Sequence, residues 1–166
     1  MTPAQEYISL YKKMADLCEQ QSWGDPFSYA RSKEILATIK LGHTLPGPNV
    51  FAGADAINEK NQPVEYKSTT KETCCGQYTG ISVHKTWEEQ QKYLITKKIG
   101  IYPEHFYNRF EDGRLVESWK LSGKDVLSIL LPKFETKYPT ALSKKDPRLS
   151  ANITWREIQK YGKQVI

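Results

Sequence analysis

Apolar residues at helical spacing divide much of the chain into capped segments. Thr2, followed by proline and a glutamine, can cap a helix, and the apolar residues that recur after it predict a first helix to about Gln20. A second helix is predicted from a cap at Ser28 to just before Gly42. Its buried face is expected to hold Ile35, Leu36 and Ile39. Three more capped segments predict helices over residues 86–97, 122–132 and 154–162.

Hairpin patterns occur twice between these helices. Residues 64–69 alternate in polarity and follow a turn-rich segment, so they predict a strand entered from a hairpin. Residues 99–110 and 115–121 flank a turn at residues 111–113 and predict a second hairpin. The order of helices and hairpins predicts an α+β fold, close to α/β, with a mixed central β-sheet flanked by helices.

Two polar segments are predicted to be loops. Residues 70–84 are small, polar and glycine-containing, and they lead directly away from the first hairpin. Residues 133–148 carry basic side chains among prolines, and these side chains are either solvated or in contact with phosphate. The aromatic side chains of residues 99–110 are expected in the core, and His105 is expected to be structural.

The composition bears on the number of domains, the possible partners and the compartment, but it does not indicate a function. The 166 residues are expected to form one domain, residues 1–166, and the net charge of +5 is compatible with a phosphate-backbone partner without requiring one. No apolar run approaches a membrane span, and the N-terminus lacks a signal-peptide layout. Cys18, Cys74 and Cys75 have no zinc spacing, so a reducing cytoplasm is expected. The adjacent pair is either a set of small loop contacts or two inert thiols.

Three side chains in and beside the first predicted hairpin could form a metal site. Glu65 and Lys67 lie two positions apart on one strand and therefore share a face. Asp55 begins the preceding strand, where the hairpin could place it beside Glu65. Two carboxylates make a hard-oxygen site for Mg²⁺, and an ammonium beside them can orient a water or neutralise charge on a phosphate. The alternative is a solvated strand face that carries opposite charges.

The sequence around these residues resembles the active-site region of the PvuII-like type II restriction endonucleases, which belong to the PD-(D/E)xK nuclease superfamily. The resemblance is tight in residues 45–47, 54–56 and 64–68, and it is looser over much of the remaining chain. It implies the restriction-endonuclease-like core of that superfamily and Mg²⁺ as the cofactor.

The resemblance also implies roles for individual residues. Asp55 and Glu65 would hold the metal together with the backbone carbonyl of Tyr66, and Lys67 would position the attacking water. Many nucleases of the superfamily place a further acid on the helix before this region, where Glu34 is the candidate. A solvent-facing glutamate is the open alternative for Glu34.

DNA contacts follow from the same resemblance. The start of the second predicted helix, with Ser28, Tyr29 and Arg31, matches the region that contacts the minor groove. The polar segment after the first hairpin matches the region that reads bases in the major groove. Its candidate contacts, with ordinary loop residues as the alternative, are Lys71 for phosphate and Gln77, Ser82 and His84 for base edges.

Two departures from the family limit what carries over. PvuII-like enzymes have an acid shortly before the catalytic aspartate, where this chain has residues 52–54, Ala-Gly-Ala, so the number of metals stays open. Their base-reading histidine cluster would fall at residues 80–82, where no histidine stands. The target sequence of the family therefore cannot be transferred.

These patterns predict a Mg²⁺-dependent type II restriction endonuclease that hydrolyses phosphodiester bonds in double-stranded DNA. A chain of this size presents one such site, so cutting both strands calls for a homodimer and a palindromic target. Residues 1–22 are expected either to form the dimerisation helix or to pack on their own core. The alternatives are a Holliday-junction-resolving or repair nuclease and a non-catalytic DNA-binding module of the same fold.

Overall fold

Five α-helices and seven β-strands follow one another in the described chain. The computed structural model describes residues 1–47, 50–51 and 53–166, so Ala52, at one departure from the family pattern, lies outside the described residues. The helices are α1 (Pro3–Gln20), α2 (Arg31–Lys40), α3 (Trp87–Tyr93), α4 (Gly123–Leu142) and α5 (Trp155–Tyr161). The strands are β1 (Ala56–Ile57), β2 (Pro63–Thr69), β3 (Gly76–Ser82), β4 (Glu104–Glu111), β5 (Arg114–Ser122), β6 (Arg148–Ile153) and β7 (Lys163–Gln164).

The central sheet is mixed, as predicted. Its five strands lie in the order β1-β2-β4-β5-β7; β2 and β4 are parallel, and the other neighbouring pairs are antiparallel. Parallel neighbours require a crossover, which here runs through β3, α3 and a π-helical turn, Leu94–Lys98, that continues α3. β3 pairs with β6 in a second, antiparallel sheet of two strands. The prediction of a loop over residues 70–84 is therefore wrong for Gly76–Ser82.

Four of the predicted helix caps are confirmed. Thr2, Thr86, Ser122 and Thr154 each accept a hydrogen bond from the backbone N–H three residues further on. Such a bond satisfies one of the donors that a helix leaves free at its start. Gly162 follows α5 at its C-cap, also as predicted.

The start and the face of α2 differ from the prediction. The Ser28 hydroxyl donates to a carbonyl in the turn before it, and the helix begins at Arg31 without a side-chain cap. Ile35 is buried as expected, but Ile39 is 56% exposed. Because Ala37 is fully buried, the helix packs closely through this small side chain and leaves Ile39 outside.

α4 continues well past its predicted end. Pro132 and Pro139 lie inside it, although a proline lacks the N–H that would donate to the carbonyl four residues earlier. The helix persists because side chains beyond Pro132, including Phe134 and Tyr138, are buried in the core. The prediction of a loop over residues 133–148 is therefore wrong for residues 133–142, and also for Arg148, which begins β6.

The central sheet separates two buried clusters. Along β4, Phe106 enters the smaller cluster and Tyr107 enters the larger one, since successive side chains alternate between faces. Val64 and Tyr66 of β2 pack into the smaller cluster. Glu65 and Lys67 consequently face the side on which β3, β6 and α4 lie. None of the helices in the described part of the chain combines the length and apolar character needed to cross a bilayer.

Candidate active site

The hairpin of β1 and β2 fixes Asp55 beside the middle of β2. Asp55 directly precedes β1, and its backbone N–H donates to the Val64 carbonyl at 3.2 Å. Its carboxylate oxygen Oδ2 accepts a hydrogen bond from the N–H of Tyr66 at 2.7 Å. Because Tyr66 stands between Glu65 and Lys67, the backbone itself holds the Asp55 carboxylate next to the other two predicted residues.

Glu65 and Lys67 form an ion pair on one face of β2. The Lys67 Nζ lies 2.5 Å from the Glu65 Oε1, and both side chains are about one fifth exposed, at 21% and 18%. The predicted alternation is confirmed, since the neighbouring side chains of Val64 and Tyr66 are buried on the opposite face. The pair is partly shielded from water yet open to a ligand on one side.

Asp55, Glu65 and Lys67 all line one cavity of about 220 Å³. Its walls come from different parts of the chain: β3, the π-helical turn and the start of β4. Gln77, Lys98 and Tyr102 lie among the lining residues. A cavity of this size with converging charged groups has the character of a binding site for a small polar group.

The electrostatics of the cavity favour a cation. Burial, followed by the nearby negative charge of Glu65, raises the pKa of Asp55 to about 7, although the hydrogen bond from Tyr66 opposes the shift. Glu34 raises this pKa further, and Lys67 lowers it. The negative charge of Glu65 thus disfavours the ionised form of Asp55, and a bound cation would relieve this repulsion.

The donor set fits a hard divalent cation such as Mg²⁺. Asp55 and Glu65 supply carboxylate oxygens, which Mg²⁺ prefers, and this ion commonly keeps several waters in its coordination shell. Within the described residues, no group of three or more His, Cys, Asp and Glu side chains is arranged to hold a metal. A cation here would therefore complete its shell with backbone carbonyls and water.

Two further predicted ligands occupy different places. The Tyr66 phenol lies on the far face of β2, where its hydroxyl is 2.7 Å from the His43 Nδ1, so the backbone carbonyl is the group that Tyr66 can offer. Glu34 does not line the cavity and pairs with Arg31 at 3.1 Å. Its charge nevertheless reaches Asp55 and contributes to the raised pKa of that carboxyl.

The residues predicted to contact the minor groove surround the start of α2. Ser28 and Tyr29 are exposed in the turn before the helix. Arg31 makes contacts within the chain: its Nε donates to the Trp23 carbonyl at 2.5 Å, and its Nη1 pairs with Glu34. The structure therefore brings Ser28 and Tyr29 to the surface and gives the Arg31 side chain partners within the chain.

The residues predicted to read the major groove lie on and after β3. Gln77 is exposed and lines the cavity, and Lys71 is exposed in the connection from β2. Ser82 is also exposed, and its hydroxyl accepts a hydrogen bond from Arg148 Nη1 at 3.0 Å. The His84 ring packs against Tyr93 with centroids 4.6 Å apart. Gln77 is the member of this group that reaches the carboxylates' cavity.

Sequence reasoning missed several residues of the cavity. Tyr78 and Tyr102 line it, and so does His105, whose Nδ1 lies 2.9 Å from the Tyr78 hydroxyl. These side chains come from β3, from the turn before β4 and from β4 itself, and the missing prediction of β3 hid their proximity to Lys67. In the sequence, Tyr78 stands between the polar residues Gln77 and Thr79, and this local alternation was the available signal.

No protein-family model matches the chain, and no curated protein matches it. The residues of the site and their geometry are therefore what indicates a function.

Proposed function

We propose that the chain is a Mg²⁺-dependent endonuclease of the PD-(D/E)xK type that hydrolyses phosphodiester bonds in double-stranded DNA at a specific site, as PvuII-like type II restriction endonucleases do. One observation carries the proposal. Asp55, Glu65 and Lys67 converge on a single cavity, and a backbone hydrogen bond fixes the Asp55 carboxylate between the other two. Opposite charges on a merely solvated strand face need no such third group.

Each of the three residues has a role in this reaction. Asp55 and Glu65 would hold Mg²⁺, which when bound supplies a Lewis acid that activates water and screens the phosphate. The Lys67 ammonium orients the attacking water and offsets the negative charge that builds on the phosphate. The Tyr66 N–H keeps Asp55 in place while charges in the cavity change.

The outward face of the β3–β6 sheet is suited to reading DNA beside this cavity. Its exposed side chains are amides, hydroxyls and one guanidinium, the groups that hydrogen-bond to base edges and phosphates. A two-stranded antiparallel ribbon also matches the width of the major groove. The exposed polar residues of the two strands are Gln77, Thr79, Ser82, Arg148, Ser150 and Asn152.

The proposal includes a homodimer, because one cavity per chain cuts one strand. α1 offers an apolar face for this contact, since Cys18 is its one buried residue. Its large apolar side chains that are each more than 40% exposed are Tyr7, Ile8, Leu10, Tyr11, Met14 and Leu17. A two-fold axis beside this helix would pair two cavities on a palindromic site.

Digestion of long, unmethylated duplex DNA with Mg²⁺ tests the proposal. Discrete fragments are expected with the wild-type protein and with Lys120→Ala, a lysine outside the cavity, and none with Lys67→Ala or with EDTA. Sequencing the fragment ends gives the target. A four-way junction run in parallel distinguishes a junction-resolving nuclease, and Mg²⁺-independent binding without cleavage of either substrate contradicts an enzymatic role.

A further inference from the structure

We propose that Tyr78 is a positioning residue for the Lys67 ammonium, and that its ring fixes this group beside Glu65 without adding a charge to the metal site. The inference rests on the proposed function, because the reaction in which Lys67 acts is the one proposed above. Nothing in the set of Asp55, Glu65 and Lys67 itself requires an aromatic side chain at this place.

Lys67 is held from two sides. Its Nζ lies 2.5 Å from the Glu65 Oε1 and 4.6 Å from the centroid of the Tyr78 ring. A cation at this distance over an aromatic face is attracted by the ring quadrupole, and the attraction grows where water is excluded. The ammonium therefore has a second fixed contact besides the carboxylate.

The contact with the Tyr78 ring matters because Glu65 would bind both the metal and Lys67. A divalent cation held by Glu65 and Asp55 draws on the same negative charge that attracts Lys67, so the ion pair weakens when the metal site fills. The Tyr78 ring has no net charge and does not compete for the metal. It keeps the Lys67 ammonium in the cavity in both states, where a third carboxylate would instead add to the repulsion between the first two.

The Tyr78 ring is itself immobilised by its hydroxyl. This oxygen lies 2.9 Å from the His105 Nδ1 and 2.8 Å from the Tyr107 hydroxyl, so it can donate to one partner and accept from the other. Tyr78 is only 5% exposed, and both partners are fully buried. The ring thus presents a fixed face to Lys67.

The partners of Tyr78 are also neutral. Burial, followed by the charge of Lys67, lowers the pKa of His105 to about 3, with the backbone of Ile99 opposing the shift. Burial likewise raises the pKa of Tyr107, the other partner, above its ordinary value. Neither hydrogen-bond partner of the Tyr78 hydroxyl is therefore ionised, so neither repels the ammonium or replaces its contact with Glu65.

Gly76 allows β3 to bring Tyr78 this close. A Cβ at Gly76 would lie 2.3 Å from the Cε1 of Tyr107 and 3.1 Å from the Cγ of Lys67. Gly76 and Tyr78 are two positions apart and share the buried face of β3, whereas Gln77 between them faces out. The absence of a side chain at Gly76 thus lets β3 approach closely, and this approach places the Tyr78 ring over Lys67.

A fluorinated series at position 78 isolates the contribution of the ring face. Phenylalanine and its mono-, di- and trifluoro forms keep the shape of the ring but lower the electron density that attracts a cation. We expect kcat for cleavage to fall stepwise, by about tenfold across the series, with KM unchanged. The same series at Tyr138, a buried tyrosine whose hydroxyl donates to the His84 carbonyl at 2.7 Å, is the control and is expected to be flat.

A spectroscopic readout follows the contact without catalysis. In protein whose lysines are reductively ¹³C-methylated, the Lys67 signal is the one lost in Lys67→Arg. The ring current of Tyr78 is expected to displace this signal in the wild type and in Tyr78→Phe, and Tyr78→Leu is expected to return it to the position of the other lysines. A Lys67 signal unchanged in folded Tyr78→Leu overturns the proposal.

The two readouts separate the proposals. An active wild-type enzyme with a flat kcat across the fluorinated series overturns the role of Tyr78 and leaves the nuclease intact. A wild-type protein that cleaves neither duplex nor branched DNA overturns the proposed function and the role of Tyr78 with it. A stepwise fall in kcat together with the ring-current shift supports both.

Discussion

Two Glu–Lys pairs stand on opposite faces of the central sheet, and their surroundings differ. Glu65 pairs with Lys67 at 2.5 Å along β2, and Glu104 pairs with Lys120 at 2.8 Å across β4 and β5. Each pair borders a cavity, of about 220 Å³ on the first side and about 280 Å³ on the second. Residue types, distances and cavity sizes alone do not distinguish them.

The difference lies in whether the carboxylate is satisfied. Burial tends to raise the pKa of Glu104, but hydrogen bonds from Lys120 and from the Asn58 amide outweigh it, so the pKa is lowered. Beside Glu65, by contrast, lies a second carboxylate, that of Asp55, and its pKa is raised to about 7. One side holds a completed ion pair, and the other keeps a charge conflict that a cation would resolve.

Replacing the lysine of each pair by alanine is expected to give the largest difference between the two pairs. Lys67→Ala is expected to lower the rate of DNA cleavage by about 10²–10⁴-fold, because it removes the ammonium that orients the water. Lys120→Ala is expected to keep the wild-type rate within about twofold, as a partly exposed pair contributes little beyond stability. Single-turnover cleavage of a duplex carrying the target measures both. Equal rate losses in the two variants would contradict the distinction.

Metal linkage is the next largest effect. Mg²⁺ at roughly 100 times its Kd is expected to raise the free energy of unfolding by about 3 kcal/mol, because the folded chain alone offers both carboxylates. Asp55→Asn is expected to lose this gain, whereas Glu104→Gln retains it. In EDTA, Asp55→Asn is itself expected to be more stable than the wild type, since it removes the conflict with Glu65. Thermal unfolding with and without Mg²⁺ measures each value, and an undiminished gain in Asp55→Asn would refute the assignment.

A methyl group at Gly76 tests how closely β3 must approach the Lys67 side. Gly76→Ala is expected to destabilise the fold by about 1–3 kcal/mol, because its Cβ would overlap the ring of Tyr107. Gly47→Ala is the control, since among the described residues no atom beyond its chain neighbours lies within 4 Å of the Cβ position there. Urea unfolding compares the two variants. A Gly76→Ala protein as stable as Gly47→Ala would show that β3 can shift.

The smallest expected effect concerns Glu104 and pH. Because the pKa of Glu104 is lowered in the folded chain, its contribution is present above the unfolded value of 4.5 and is lost as pH falls through the lower folded value. Glu104→Gln is expected to cost about 0.5–1 kcal/mol at pH 7 and to approach the wild type at acid pH. Denaturant unfolding across pH measures the gap, and a gap independent of pH would exclude this origin.

Strand β2 was predictable because its signals are local. The turn before β2 and the alternation along it define the hairpin, and the hairpin sets the meeting of Asp55 with Glu65. The helix caps were predictable for the same reason, since the capping residue and its partner lie three positions apart. Each prediction needed only a few consecutive residues.

The missed elements depend on distant contacts. β3 is a strand because β6 pairs with it, and the two strands are far apart in the sequence. α4 continues through Pro132 because Phe134 and Tyr138 gain a buried environment from other elements. The position of Tyr78 over Lys67 follows from the pairing of β3. The sequence pattern could therefore identify Asp55, Glu65 and Lys67, but not the contact of Tyr78 with Lys67.

The parallel pairing of β2 with β4 also bears on the order in which the chain folds. The β1–β2 hairpin closes a short loop, so its two carboxylates can approach early, whereas Val64 reaches Glu104 only after the whole crossover has closed. Pairings between distant residues slow folding. The two carboxylates of the β1–β2 hairpin are therefore expected to come together before β4 pairs with β2. Hydrogen exchange during refolding would then detect protection at Tyr66 before protection at His105.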